Sequence, residues 1–185
     1  MNVNNGGNNQ TILGTAVGAG VGYGAYKASN FALNIPRSAV VVASLMTTPQ
    51  YGDEYVKVAN DIIKNKKLPI KTVLLDQSII CGIGNIYDDE ILFMSKIHPL
   101  RKASDISLEE CDTIIKNTRI VLEKAIKLGG TTIKSFTSSE GVHGLFQNEL
   151  LVHGKGGEEC PECKNILLKT KVGGRGTHYC EFCQK

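Results

Sequence analysis

The sequence predicts a mainly α-helical protein with a small β-ribbon at its C-terminal end. Apolar residues recur at intervals of three and four from residue 51 to about residue 130, which is helical spacing. Two pairs of cysteines then flank a Gly173-Gly174 turn, with residues that favour strands on both sides of it. The 185 residues suit one or two small domains. We divide them into an N-terminal segment (1–50), a helical module (51–148) and a ribbon (149–185).

Four helices are expected in the helical module. The first covers residues 53–64, and a second, short helix begins at Pro69, which suits a first turn. The third covers residues 86–96 and stops before His98-Pro99. The fourth and longest follows a capping box formed by Ser107 and Glu110 and ends at Gly129-Gly130.

The N-terminal segment is rich in Gly, Asn, Ala and Val and does not match the rest of the chain. Gly14, Gly18 and Gly22 repeat a G-x-x-x-G spacing that is typical of packed membrane helices. The uncharged stretch of residues 11–26 is nevertheless shorter than the usual span of about 18 to 20 residues, so no membrane partner is expected. A second apolar run, residues 38–46, fits a buried strand or helix. Whether this segment folds stays open.

The cysteine pairs Cys160/Cys163 and Cys180/Cys183 have the spacing C-x2-C-x16-C-x2-C. This spacing is typical of a site in which four thiolates hold one structural zinc ion. The alternative is two disulfides or four unrelated thiols. No signal segment precedes the pairs, so the sequence favours a reducing, cytoplasmic compartment. The remaining cysteines, Cys81 and Cys111, are expected to be buried free thiols.

Three residues are candidates for phosphate contacts. Arg175 follows the ribbon turn, where its guanidinium can form a bidentate contact, although a solvated basic turn is the simpler explanation. Asn85 lies in the turn Gly82-Ile-Gly-Asn-Ile86 at a helix start, and Lys71 lies one helix earlier. The alternative is that Asn85 and the two glycines form a turn that binds nothing. The formal net charge of +3 is small, so any anion-binding face must be local.

Several motifs follow one another in a fixed order across residues 55 to 185. In chain order they are Lys71 to Gln77, Gly82 to Tyr87, Ile97 to Pro99, Gly129 to Ile133, Phe146-Gln147, and the four-cysteine ribbon with Gly174-Arg175 and Cys183 to Lys185. Together they resemble the helix-two-turns-helix module and zinc ribbon of formamidopyrimidine-DNA glycosylases. The resemblance implies a fold in which that DNA-binding module precedes a four-cysteine zinc hairpin.

The resemblance also implies partners and roles. The family binds damaged duplex DNA, flips out an oxidised purine, cleaves its glycosidic bond and nicks the abasic strand. By resemblance, Lys71, Asn85 and Arg175 hold phosphates beside the flipped nucleotide. Residues 131–147, with Gly141 and Gly144, look like the loop that covers the flipped base, the alternative being an ordinary surface connection. We expect no small-molecule cofactor. We also expect the protein to be a monomer.

The match fails at the catalytic N-terminus. The family uses an N-terminal proline amine as its Schiff-base nucleophile, followed by a glutamate. Here Asn2 stands at the second position and the first proline is Pro36. We therefore expect DNA binding without cleavage. Three function classes remain: a base-excision glycosylase and lyase, a non-catalytic module for damaged DNA, and a zinc ribbon that contacts RNA or protein.

Overall fold

The computed structural model describes residues 52–77, 79, 82–131 and 144–185, with side chains from Val56 onward. The predictions for residues 1–50, for Cys81 and for Gly141 lie outside this part of the chain. Among the described residues, no helix has both the length and the apolar character that crossing a membrane requires.

The described residues form the predicted mainly helical architecture with one two-stranded antiparallel sheet. The elements are α1 (Gly52–Lys64), α2 (Ile70–Leu74), α3 (Asn85–Met94), a 3-10 turn (Ala103–Asp105), α4 (Leu108–Lys127), a second 3-10 turn (Phe146–Glu149), β1 (Leu168–Val172) and β2 (Arg175–Tyr179). Pro69 lies one residue before α2 instead of inside its first turn. Helix α3 begins one residue earlier and ends two residues earlier than predicted.

Helix α4 packs against α1 and α3 and forms one wall of the main core. Its buried apolar residues are Cys111, Ile114, Val121 and Ala125. The predicted apolar face also included Leu108 and Ile126, which are 44% and 62% exposed. Both lie about 100° around the helix from the centre of the buried stripe, at 100° per residue. The apolar face is therefore wider than the face that the neighbouring helices cover.

The capping box that begins α4 is confirmed. The Ser107 hydroxyl accepts a hydrogen bond from the Glu110 N–H at 3.1 Å, and the Glu110 carboxylate accepts one from the Ser107 N–H at 2.9 Å. Arg101 also donates two hydrogen bonds to Glu110, at 2.6 and 2.8 Å. This guanidinium lowers the pKa of Glu110. The helix ends as predicted at Gly129 and Gly130, whose φ angles are +71° and +82°.

The ribbon closes at the predicted Gly173-Gly174 turn. Val172 pairs with Arg175, and the two glycines have φ angles of +55° and +77°, which are typical of a two-residue type I′ hairpin. A Cβ atom on Gly173 would lie 3.0 Å from the Oγ1 atom of Thr72, on α2. The tip of the ribbon therefore rests against the helical module.

Two buried apolar clusters divide the described residues. The larger is formed by all four helices and extends to Phe146 and Leu150. The smaller contains the zinc-ribbon residues Val152, Cys160, Leu167 and Cys180 together with Phe93 from α3. Helix α3 therefore belongs to both clusters, and it is the element on which the ribbon is mounted.

Candidate functional site

The four ribbon cysteines converge at one point. The Sγ atoms of Cys160 and Cys183 are 3.8 Å apart, those of Cys163 and Cys180 are 3.4 Å apart, and all four lie within 4.8 Å of one another. After each pair, the backbone turns back on its first cysteine: the Lys164 N–H bonds to the Cys160 carbonyl, and the Gln184 N–H bonds to the Cys180 carbonyl.

This arrangement fits one structural zinc ion. A tetrahedron with zinc–sulfur bonds of about 2.3 Å has sulfur–sulfur edges of about 3.8 Å, close to the distances observed. The separations are much longer than a disulfide bond of about 2.05 Å. The Asn165 side chain donates to the Sγ atom of Cys163 at 3.4 Å, and this contact lowers the pKa of that thiol to about 6, whereas burial raises the pKa of the Cys180 and Cys183 thiols. The zinc prediction is confirmed.

Asn85 and Arg175, two of the three predicted phosphate ligands, are brought together. Asn85 is the first residue of α3, after Gly84, and its Nδ2 atom donates to the Gly176 carbonyl at 3.0 Å. Gly176 is the residue next to Arg175 on β2. A second Nδ2 proton and the free N–H groups of the first turn of α3 remain available to an acceptor. Arg175 is exposed, and its guanidinium has no ion-pair partner among the described residues.

Lys71 is the third predicted phosphate ligand, and it does not lie at the surface that carries Asn85 and Arg175. Its side chain has no exposed area, and its ammonium pairs with Asp89 and lies 3.9 Å from Asp88. Helix α2 turns this residue towards the acidic residues of α3, alongside the buried Ile70 and Leu74. Direct contact between Lys71 and a phosphate does not fit this position.

Three consecutive acidic residues of α3 are functional candidates that the sequence analysis missed. Asp88, Asp89 and Glu90 are at most 2% exposed. Glu90 accepts hydrogen bonds from the backbone N–H groups of Leu151, Val152 and His153 at 2.7 to 3.0 Å. It thereby fixes the segment that leads from the helices into the ribbon. The available signal was three acids in succession inside an otherwise apolar helix.

Asp89 is the most connected of the three. Its Oδ2 atom lies 2.6 Å from the Nδ1 atom of His153 and accepts a hydrogen bond from the His178 N–H at 3.1 Å, while its Oδ1 atom pairs with Lys71. Burial alone would raise the pKa of Asp89, but the His153 hydrogen bond and the Lys71 charge outweigh it and lower the pKa. Asp89 is therefore held as a carboxylate. His178 lies on β2, and its ring Nδ1 atom is also 3.3 Å from the Asp89 Oδ2 atom.

Asp88 has the opposite environment. Neither carboxylate oxygen has a hydrogen-bond partner among the described residues. Complete burial raises the pKa of Asp88 well above its usual value, and the charge of Lys71 offsets this only in part. Lys71 thus forms a close ion pair with Asp89, while burial favours the neutral acid at Asp88.

Comparisons with known proteins agree with this geometry. Residues 45–137 match the family model "Formamidopyrimidine-DNA glycosylase H2TH domain", and residues 157–185 match "Zinc finger found in FPG and IleRS". A formamidopyrimidine-DNA glycosylase of Mycoplasma mobile is 49% identical over 133 residues, which cover 72% of this chain and 47% of that protein. One of Bacillus cereus is 50% identical over 137 residues, which cover 74% and 47%. The chain spans about half the length of these relatives.

Two solved structures of similar fold contain DNA. The complex of Lactococcus lactis Fpg with DNA containing an abasic site has a TM-score of 0.67 and 40% identity, covering 74% of this chain and 50% of that one. The complex of wild-type Lactococcus lactis Fpg (MutM) with DNA containing N7-benzyl-Fapy-dG has a TM-score of 0.65 and 40% identity, covering 70% and 47%.

Proposed function

We propose, since the chain belongs to the formamidopyrimidine-DNA glycosylase family, that residues 52–185 hold duplex DNA around a damaged nucleotide for base-excision repair. The family accounts for the helical module and the zinc ribbon in one chain. The DNA in these solved structures of similar fold carries an abasic site or N7-benzyl-Fapy-dG, which supports damaged purines as the lesion class. Oxidised purines are the damaged purines that the family resemblance implies.

The contact between Asn85 and Gly176 carries this proposal. It joins the N-terminal end of α3 to the strand that begins with Arg175, whose guanidinium has no ion-pair partner in the described part of the chain. Backbone N–H groups at a helix start attract phosphate, and a guanidinium forms short, charge-assisted hydrogen bonds with it. Two separate elements that carry phosphate donors therefore lie side by side. Such contacts position DNA without reading its sequence.

The role that we propose for residues 52–185 is binding without base excision, because the family's nucleophile is a terminal amine and not a side chain of this part of the fold. The described residues supply cations, amides and a zinc ribbon, but among them we find no group placed to act as that amine. Positioning of the nucleophile can lower the barrier by about 7 to 11 kcal/mol, so an unpositioned amine should react far too slowly to support turnover.

Duplex binding tests the proposal. A duplex with a stable abasic analogue should bind more tightly than an undamaged duplex, and Arg175→Ala should weaken binding by about tenfold or more. The slope of log affinity against log salt should fall by about one phosphate. Lys116→Ala is the matched control, because Lys116 is an exposed cation on α4 that pairs with Asp112. Equal affinity of the parent and Arg175→Ala at low and moderate salt would refute the phosphate assignment.

Activity is tested separately, with a duplex containing oxidised guanine at protein excess. The expected result is no strand nicking and no covalent adduct after borohydride treatment. Nicking together with an adduct on the first residues would contradict the binding-only role and leave the binding assignment intact.

A further inference from the structure

Helix α3 and strand β2 run alongside each other in a fixed register. The Asn85 side chain bonds to the Gly176 carbonyl, and the Asp89 carboxylate accepts from the His178 N–H. Phe93 then shares a buried cluster with Cys180. Every fourth residue of the helix therefore faces every second residue of the strand, from the DNA-facing end to the zinc site.

The repeat distances of the two elements make this register possible. Four residues of an α-helix advance by about 6 Å. Two residues of a β-strand advance by about 6.7 Å. The two spacings are close enough to hold over three successive contacts. A slip of one residue along β2 would replace the His178 N–H with a neighbour that points away from the helix, because strand groups alternate in direction.

The middle contact is the one that resists such a slip. Asn85 donates a single neutral hydrogen bond, and Phe93 contributes apolar packing, which is not directional. Asp89 is a buried carboxylate that needs its partners, since an uncompensated buried charge is strongly destabilising. Lys71 holds that carboxylate from the side of the helices, whereas His153 and the His178 N–H meet it from the ribbon.

We propose that Asp89, held in place by Lys71, is a positioning residue that sets the register of β2 on α3 and so places Arg175 where it reaches DNA phosphate. The inference rests on the proposed function. It gives Lys71 an indirect role in DNA binding, through a chain of contacts from Lys71 to Asp89, from Asp89 to β2, and from β2 to Arg175. Neither Lys71 nor Asp89 touches the phosphate.

The test measures how much Arg175 contributes to duplex affinity in different backgrounds. Affinity for the abasic-analogue duplex is compared with and without Arg175→Ala in the parent, in Lys71→Met with Asp89→Leu, and in Lys71→Met with Asp89→Asn. Both double changes remove the two buried charges together, so neither leaves one unpaired. Leucine removes the acceptor for the His178 N–H, whereas asparagine keeps one. Zinc content is measured in every protein.

The contribution of Arg175 should be about tenfold or more in the parent and in the asparagine background. In the leucine background it should fall below about threefold while one zinc ion is retained. An Arg175 effect of parental size in the zinc-loaded leucine protein would overturn the proposal, and so would equal losses with leucine and asparagine. If the leucine protein does not retain zinc, Asp89→Ala takes its place under the same criteria.

Two controls separate the causes of failure. Glu162→Ala breaks the exposed ion pair with Lys96, which also joins the end of α3 to the ribbon, and it should leave the contribution of Arg175 unchanged. If the parent does not bind the duplex at all, the proposed function itself fails. If the parent binds and the backgrounds do not differ, only the positioning role fails.

Discussion

The core of the helical module and the junction between α3 and β2 are built on different principles. The module core is apolar, contributed mainly by residues at helical spacing on α1, α2 and α4. The junction is polar: it buries one lysine, three acidic side chains and one histidine. Apolar burial tolerates exchange between similar side chains, whereas a buried charge depends on particular partners. This difference indicates that the module core supplies most of the folding free energy, whereas the junction fixes the position of β2 on α3.

The zinc site should produce the largest effect, because the ribbon has a small core of its own. We expect Cys160→Ser with Cys180→Ser to abolish zinc binding and unfold residues 150–185 while the helices persist. Binding of zinc by such sites is worth about 10 to 16 kcal/mol, which is folding free energy here. Metal analysis and hydrogen exchange would check this. Cys111→Ser is the control for zinc, since Cys111 is buried on α4 away from the ribbon. Full zinc occupancy in the double variant would refute the ligand set.

The variant Gly144→Ala tests how closely the backbone at Gly144 packs against the backbone of Gly129 and Gly130. A Cβ atom there would lie 2.2 Å from the Gly130 carbonyl oxygen and 2.8 Å from that of Gly129, and backbone atoms cannot move aside easily. We expect Gly144→Ala to lower the free energy of unfolding by about 2 to 4 kcal/mol. Gly84→Ala is the control, since its Cβ would meet nothing closer than 4.0 Å. Equal stabilities of the two variants in denaturant titrations would contradict the steric argument.

The variant Asp88→Asn tests how much the buried carboxyl group of Asp88 destabilises the folded protein. Its pKa is raised in the folded state, so its contribution to stability is present below the ordinary pKa of an aspartate and is lost as the pH rises through the raised value. Near neutral pH, Asp88→Asn should therefore stabilise the protein by about 1 to 2 kcal/mol and flatten the rise in stability on acidification. Thermal melting from pH 4 to 8 would show this. The exposed control Asp112→Asn should not stabilise, and a destabilised Asp88→Asn would show that the carboxylate is needed.

The capping box should give the smallest effect. Ser107→Ala removes the acceptor for the Glu110 N–H at the start of α4, which costs about 1 kcal/mol in comparable helices. Duplex affinity should not change, because Ser107 and Glu110 bond to each other at the start of α4 and not to α3 or β2. Ser104→Ala, in the preceding 3-10 turn, is the control. A loss of DNA binding in Ser107→Ala would mean that the two regions are coupled more closely than we propose.

The contrast also explains what could be predicted from the sequence. Helix periodicity, the Ser107–Glu110 capping box, the glycine turn of the ribbon and the cysteine spacing are local patterns, and each was found in the structure. The junction joins residues far apart in the chain, such as Asp89 with His178 and Asn85 with Gly176. Three successive acids inside an apolar helix are a local signal of burial, but no local pattern identifies the partners of Asp89. For the same reason, the sequence predicted an exposed role for Lys71, whose partner lies on the next helix.

A double-mutant cycle between Asn85 and Arg175 tests the central claim most directly. Affinity for the abasic-analogue duplex is measured for the parent, Asn85→Ala, Arg175→Ala and the double variant, with zinc content confirmed in each. If Asn85 both binds phosphate and orients the strand that carries Arg175, the double variant should be weakened by clearly less than the product of the two single effects. The expected coupling is at least about 0.5 kcal/mol. A double variant weakened by the full product would contradict the claim that Asn85 orients the strand that carries Arg175.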